Sequence, residues 1–329
     1  MKQRRINSRD VGAIGLGCMN LSHAYGFPPA KDDAIQLLHR AYDIGVRHFD
    51  TAALYGVGSN EKLVGEALRK YRNDIFLASK CGMTGVDGKR VIDGRPETLV
   101  KTLEQSLKSL KTDHIDLYYL HRWDKSVPVE ESVGALSMMV EQGKIAAIGL
   151  SEVSAETLRK AHSVFPVSAL QTEYSLWTRN PEIAALEACR ELGVAFVAFS
   201  PLARGFLSGG VGDATALAEK DIRRGMPRFQ VPNYAENINL FESFALLAEE
   251  AGCTPGQLAL VWLLQQGEHI VPIPGTRNLA HLEENTQASQ LEVARSIIDR
   301  AAELINERAV SGHRYPPATQ SEIDTEEFE

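Results

Sequence analysis

The sequence predicts an α/β protein: one closed (β/α)₈ TIM barrel, with an extra helix near the C-terminus and a long loop after the seventh strand. Three observations point there. Short apolar or β-branched runs alternate eight times with longer amphipathic segments, and such alternation implies a parallel sheet with right-handed crossovers. The length of 329 residues suits one barrel with insertions. A doubly wound sheet is the competing architecture. Its usual signature, Gly-x-Gly-x-x-Gly between a strand and a helix, is missing, and Gly15-Leu16-Gly17 is too short to replace it.

The first strand is read at 13–18. Ala34, Leu37, Leu38 and Ala41, spaced i, i+3, i+4, i+7, make 31–44 an amphipathic helix. Strands at 46–49, 75–78, 115–120, 145–150, 167–170, 194–199 and 270–273 then alternate with helices at 60–71, 96–110, 130–142, 155–163, 181–192, 238–251 and 279–286. Pro96 suits the first turn of its helix. Extra helices are read at 255–266 and 291–305. The connection 209–237 is rich in Gly and charge, and so long a loop in a compact domain is usually functional or mobile. Residues 1–329 thus read as one domain, with barrel and accessory helices over 12–310 and a flexible acidic tail over 311–329.

Composition excludes several classes. There are 35 Lys and Arg against 43 Asp and Glu, a formal charge of −8. Nucleic acid and anionic membranes need a basic face, so neither is expected as a partner. Cys18, Cys81, Cys189 and Cys253 are scattered without a C-x-x-C pair. No disulfide framework or metal site is expected, and a reducing, cytoplasmic setting is. Residues 1–10 are charged and unlike a secretory signal. No run approaches the ~18 apolar residues of a membrane helix.

In a parallel barrel, chemistry collects where strands end at their C-terminal side. Asp50 follows one strand, with Tyr55 just beyond it; Lys80 follows the next, and His121 the one after. Each alone has an ordinary explanation: a turn aspartate, a snorkelling lysine, a packing tyrosine, a structural histidine. On adjacent strands of one rim they form a set that packing alone does not predict. Carbonyl reduction needs a proton donor. A phenol titrates near 10, and a neighbouring ammonium favours its ionised form. Asp50 can hold Lys80, and a neutral His121 can orient a carbonyl oxygen.

These residues lie in motifs that resemble the aldo-keto reductase superfamily: Phe49-Asp50-Thr51-Ala52 through Tyr55-Gly56, Asn60-Glu61-Lys62-Leu63-Val64-Gly65, Ala78-Ser79-Lys80 and Asp116-Leu117-Tyr118-Tyr119-Leu120-His121. Gly149-Leu150-Ser151, Leu170-Gln171-Thr172-Glu173-Tyr174-Ser175 and Ser200-Pro201-Leu202-Ala203-Arg204-Gly205 match as well. The resemblance implies NADPH/NADP+ as cofactor, a small carbonyl substrate, and a tetrad of Asp50, Lys80, His121 and Tyr55, the last as general acid. It implies that Ser151 and Gln171 hold the nicotinamide carboxamide, that Phe199 stacks on the ring, and that Ser200, Pro201, Leu202 and Gly205 cross the pyrophosphate. It also implies that Gly275, Thr276, Arg277, His281, Glu284 and Asn285 hold the adenosine end and its 2′-phosphate. Met19 is expected as a further cofactor contact and, with Tyr25, Trp123 and Trp177, as a wall of the substrate pocket. Two departures stand out: Glu152 replaces the usual Asn, and Gly275 a frequent Lys. Two rival functions stay open. One is an NADPH-binding regulatory subunit with little turnover, and the other a metal-dependent barrel enzyme.

Overall fold

A computed structural model describes residues 2–86 and 89–328. Strands β1 (Gln3–Ile6) and β2 (Arg9–Gly12) form an antiparallel hairpin. Eight further strands make one parallel sheet: β3 (Leu16–Gly17), β4 (His48–Asp50), β5 (Phe76–Cys81), β8 (Leu117–Leu120), β9 (Ile148–Ser151), β10 (Val167–Glu173), β11 (Ala195–Phe199) and β12 (Ile270–Pro272). A second hairpin, β6 (Met83–Val86) with β7 (Lys89–Ile92), follows β5. Gly15 N–H donates to the Pro272 carbonyl at 2.9 Å, and Gly17 N–H to that of Pro274 at 3.3 Å. These bonds join the first barrel strand to the last.

Alternation of side chains sorts two cores. Along β5, Phe76 and Ala78 face the lumen with Leu117, Tyr119, Ala169 and Val197, whereas Leu77 and Cys81 pack outward. Successive strand residues point to opposite faces. Alanines at 78, 147, 169 and 195 alternate in the lumen with larger side chains such as Phe76, Leu117, Tyr119 and Ile273. A Cβ on Gly149 would stand 2.3 Å from the Tyr119 ring, so that ring lies over the neighbouring strand β9 only because β9 has no side chain there. Ile6 and Val11 of the first hairpin join the same cluster and plug the barrel's lower end. The charged hairpin over Gln3–Gly12 therefore has a packing role.

The outer ring comprises α1 (Lys31–Asp43), α2 (Ser59–Leu68), α3 (Pro96–Leu110), α4 (Val129–Glu141), α5 (Ala155–Val164), α6 (Ala185–Leu192), α7 (Asn233–Glu250), α8 (Pro255–Leu264) and α9 (Leu279–Gln287), with α10 (Arg295–Leu304) and α11 (Pro317–Gln320) beyond. The expected helices are there, with moved ends. Helix α6 begins at Ala185, not 181, because Ala184 leaves the helical region at φ −153°. Helix α7 begins at Asn233, five residues early. The rest of 209–237 is a chain of short 3₁₀ turns at Ala214–Ala216, Ile222–Gly225 and Pro227–Phe229.

The acidic tail corrects the expectation of a flexible end. Ile323 is buried, and Lys125 donates to the carbonyls of Ser321 and Ile323. Asp324 accepts from Ser154 N–H at 3.1 Å and from the Thr157 hydroxyl at 2.7 Å, and its own N–H donates to the Glu152 carbonyl. A carboxylate at the start of α5 is favoured by that helix's exposed N–H groups and dipole. The acidity that reads as solvated is what docks the tail.

His48 offers a stability test. It is fully buried below Asp50 and neither ring nitrogen has a partner. Burial pulls its pKa from 6.5 down to about 4. A histidine kept neutral in the fold stabilises fully above the unfolded pKa and loses that contribution as pH falls from about 6.5 to about 4. The wild type should lose about 2 kcal/mol more than His48→Leu between pH 7 and pH 5. Urea titrations at both pH values check this, and parallel losses would refute it.

Candidate active site

Sheet register brings the four polar strand-end residues together. Asp50 closes β4 and pairs in register with Gly17 of β3 and Ala78 of β5. Lys80 lies on β5 opposite Tyr119. His121 directly follows β8, its N–H donating to the Cys81 carbonyl at 2.8 Å. Tyr55 stands in a 3₁₀ turn, Tyr55–Gly58, whose Gly56 and Val57 take left-handed φ of 55° and 51°. A Cβ on Gly56 would come within 2.2 Å of the Ser59 hydroxyl, so glycine is required where the turn presents Tyr55.

Lys80 is fully buried, ion-paired with Asp50 and donates to the Thr51 carbonyl at 2.8 Å. Its nitrogen lies 4.9 Å from the centre of the Tyr55 ring. The rings of Tyr55 and His121 meet edge to face at 5.8 Å, and His23 lies 5.6 Å from Tyr55 on another side. Gln171 donates to the second Asp50 oxygen at 2.8 Å. Behind this group, Thr51 donates to Asn60 at 2.6 Å, Asn60 donates to the Cys18 carbonyl at 2.8 Å, and Ser79 donates to Glu61 at 2.6 Å. Asn60 and Glu61 thus fix the loop and strand that carry the tetrad. They lie in the stretch Asn60-Glu61-Lys62-Leu63-Val64-Gly65, whose spacing alone points to no role for them.

The electrostatics follow from burial. Burial lifts the Tyr55 phenol above its ordinary range, while Lys80 pulls against it. The sequence anticipates only the second effect; desolvation outweighs it. Burial pulls Lys80 down, but Asp50 and Tyr55 more than offset this and keep it charged. His121 is held well below its ordinary value, first by burial and then by Arg122 and Lys80. It is neutral at pH 7.

The other expected residues spread round the same rim. Met19 begins a 3₁₀ turn after β3. Ser151 is buried and accepts from Arg122 at 3.3 Å. Phe199 ends β11 half-buried, and the turn beyond it bends through left-handed Ser200, Ala203, Arg204 and Gly205 around Pro201 and Leu202. Gly275 has a physical reason to be glycine: a Cβ there would stand 2.6 Å from Asn20 Oδ1 and 2.9 Å from the Gly17 carbonyl. Thr276 precedes Asn278, whose side chain caps α9 by accepting from the N–H groups of Ala280 and His281. Arg277 donates to the Phe27 carbonyl. Glu284 accepts from the Thr254 hydroxyl at 2.5 Å and so braces the start of α8, while Asn285 is buried.

The expected pocket wall is only partly assembled. The Tyr25 hydroxyl lies 3.4 Å from Arg204 Nη1, and Trp123 donates to the Val127 carbonyl at 2.9 Å. Trp177 instead stacks on Phe206 at 4.0 Å and abuts Phe229, buried in the outer core. An indole that finds two aromatic partners buries more area inside than on a wet pocket wall.

Glu152 also has a clear place. Its side chain accepts from the Glu173 N–H at 3.0 Å and pairs with Arg314. Glu173 pairs with Arg204 at 2.6 Å and with Arg314 at 3.2 Å, and Arg204 reaches the Tyr315 hydroxyl at 3.1 Å. Two carboxylates at the barrel rim thus bind the loop after β11 to the C-terminal segment. Partners so distant in sequence leave no spacing signal; the departure at Glu152 was the one hint.

Comparison with known proteins places the chain. The aldo/keto reductase family profile matches residues 13–306. The chain is 42% identical to probable aldo-keto reductase 1 of Glycine max, over 93% of this chain and 89% of that protein. It is also 42% identical to the Schizosaccharomyces pombe aldo-keto reductase yakc, named for NADP(+), over 97% and 96%. A glycerol dehydrogenase from Gluconobacter oxydans superposes with a TM-score of 0.85 at 26% identity, over 96% of this chain and 98% of that one. The architecture is that of a barrel oxidoreductase acting on carbonyl groups. This chain belongs to the aldo/keto reductase family. Among the described residues no helix is long and apolar enough to cross a membrane.

Proposed function

We propose that the chain reduces small aldehydes or ketones to alcohols with NADPH, and that Tyr55 is the proton donor. The observation that carries this reading is the buried Lys80 ammonium, paired with Asp50 and 4.9 Å from the centre of the Tyr55 ring. When bound, the reduced nicotinamide supplies a hydride to the carbonyl carbon. Tyr55 gives its proton to the carbonyl oxygen as that C–H bond forms. Burial keeps the phenol protonated beforehand, and Lys80 stabilises the phenolate that results. Neutral His121 donates a hydrogen bond that fixes the carbonyl oxygen. Asp50 and Gln171 hold Lys80 in place.

The rim fits the cofactor. Asn20 Oδ1 is buried without a partner beside Gly275, an acceptor that a hydroxyl or amine of the cofactor would satisfy. Ser151 and Gln171 would hold the carboxamide, Phe199 the ring face, and Met19 its edge. Ser200, Pro201, Leu202 and Gly205 would follow the pyrophosphate. Gly275, Thr276, Arg277, His281, Glu284 and Asn285 would surround the adenosine end, with Arg277 reading its 2′-phosphate. The NADP(+) in the yeast relative's name supports this choice. Arg277→Ala should weaken NADPH about 10- to 100-fold and NADH far less, the loss of one charge-assisted contact. Fluorescence titration with both nucleotides tests it, and equal weakening would refute the assignment.

Nicotinamide absorbance with purified protein, NADPH and a panel of aldehydes, including pyridoxal and methylglyoxal, tests the main reading. NADPH oxidation supports a reductase. Tight NADPH binding with no oxidation across the panel would overturn it in favour of a regulatory, cofactor-holding protein.

A further inference from the structure

Arg122 is 8% exposed. Its Nη1 donates to the His121 carbonyl at 2.6 Å and to the Ser151 hydroxyl at 3.3 Å. Among the described residues, no carboxylate lies within ion-pair distance of it. Its Nε is buried without any partner. Arg204 and Arg314, equally enclosed, each hold a glutamate. Leaving a buried charge unpaired is costly, so an unpaired guanidinium between two residues of a reaction site needs a reason.

The surroundings sharpen that reason. The one carboxylate of the tetrad, Asp50, is committed to Lys80 and Gln171. The two cations that act most strongly on His121 are Arg122 and Lys80, and Lys80 already has Asp50 as its partner. The Nε–Nη2 edge of Arg122 makes no bond to the described residues. That edge is a planar two-donor fork, the shape that matches a carboxylate bidentately.

We propose that Arg122 is a specificity-determining residue that binds a carboxylate on the substrate, so that the enzyme prefers carbonyl compounds bearing a carboxylate to neutral ones of the same shape. This inference rests on the reductase reading of the site. The nicotinamide carboxamide is the other group that could use the fork, but it is neutral and would leave the buried charge uncompensated.

The test compares 4-carboxybenzaldehyde with its neutral methyl ester under NADPH. In the wild type, kcat/KM should favour the acid by about 10- to 100-fold, the worth of one charge-assisted pair. In Arg122→Met the ratio should fall to about one, with Arg122→Lys between them because it keeps the charge without the fork. A ratio at or below one in the wild type, or an unchanged ratio in Arg122→Met, overturns the proposal. So does a loss of NADPH affinity in Arg122→Met with the ratio intact, which would assign the guanidinium to the cofactor. If neither aldehyde turns over, the reductase reading fails separately. Calorimetry with 4-methylbenzoate and 4-methylbenzamide then decides: benzoate binding that vanishes in Arg122→Met supports the site, and equal binding of both overturns it.

Discussion

Tyr55→Phe should keep NADPH binding and lose carbonyl reduction by about 10²- to 10⁴-fold, the usual worth of a positioned general acid. The ring packs against His23 and His121 through its faces and edges, with centroids at 5.6 and 5.8 Å, and phenylalanine repeats those contacts. What disappears is one O–H near Lys80. The loss should therefore fall on kcat and leave the nucleotide dissociation constant within about twofold. Single-turnover absorbance with NADPH and an aldehyde measures the first, and fluorescence titration the second. Turnover unchanged in this variant would remove Tyr55 from the mechanism. A matching loss of NADPH affinity would make it a structural residue.

Glu173→Gln should be the most damaging change to stability away from the tetrad, at about 3–5 kcal/mol. The glutamate is 3% exposed and is the carboxylate partner of Arg204; Arg314 keeps Glu152 as a second one. Amide for carboxylate preserves shape while leaving a buried guanidinium without its counter-charge. Burial raises the Glu173 carboxyl, but Arg204 and Arg314 hold it below the usual carboxylate range. A group with a depressed folded pKa contributes fully above its unfolded pKa, near 4.3, and loses that contribution only as pH falls below it. The gap between wild type and variant should therefore be constant from pH 8 to pH 5 and shrink below about pH 4. Denaturant unfolding across that range measures it. A gap below 1 kcal/mol at pH 7 would mean the arginines find other partners.

How much was legible in the sequence depended on how far apart the interacting residues lie. The barrel strands were readable because each is a local apolar run. Asp50, Lys80 and His121 could be expected on one rim because each ends or follows such a run and a parallel barrel gathers strand ends there, with Tyr55 in the turn just beyond Asp50. The first hairpin was not readable: Gln3–Ile6 and Arg9–Gly12 carry consecutive charged residues and no apolar run, and only the lumen they plug shows that Ile6 and Val11 are core. Trp177 was misplaced because an aromatic residue after a strand looks the same on a pocket wall and in a stack. The salt-bridge hub left a single trace, the unusual Glu152. Glu152 and Arg314 are 162 positions apart, and no period or motif connects them. The tail was misread for the same reason, since Asp324 finds its hydroxyl and N–H partners on α5 only after the barrel has formed.

The bonds from Gly15 and Gly17 to Pro272 and Pro274 set a condition on how the chain is made. The first barrel strand pairs early with β4, but its other edge waits for a partner roughly 250 residues later, the kind of non-local closure that slows folding. Until Ile270–Pro272 has emerged, β3 and β11 both present bare edges, which are templates for pairing with other nascent chains. Chains stalled or cut short of that strand should therefore be the ones that aggregate, while loss of residues beyond it leaves the ring of strands complete.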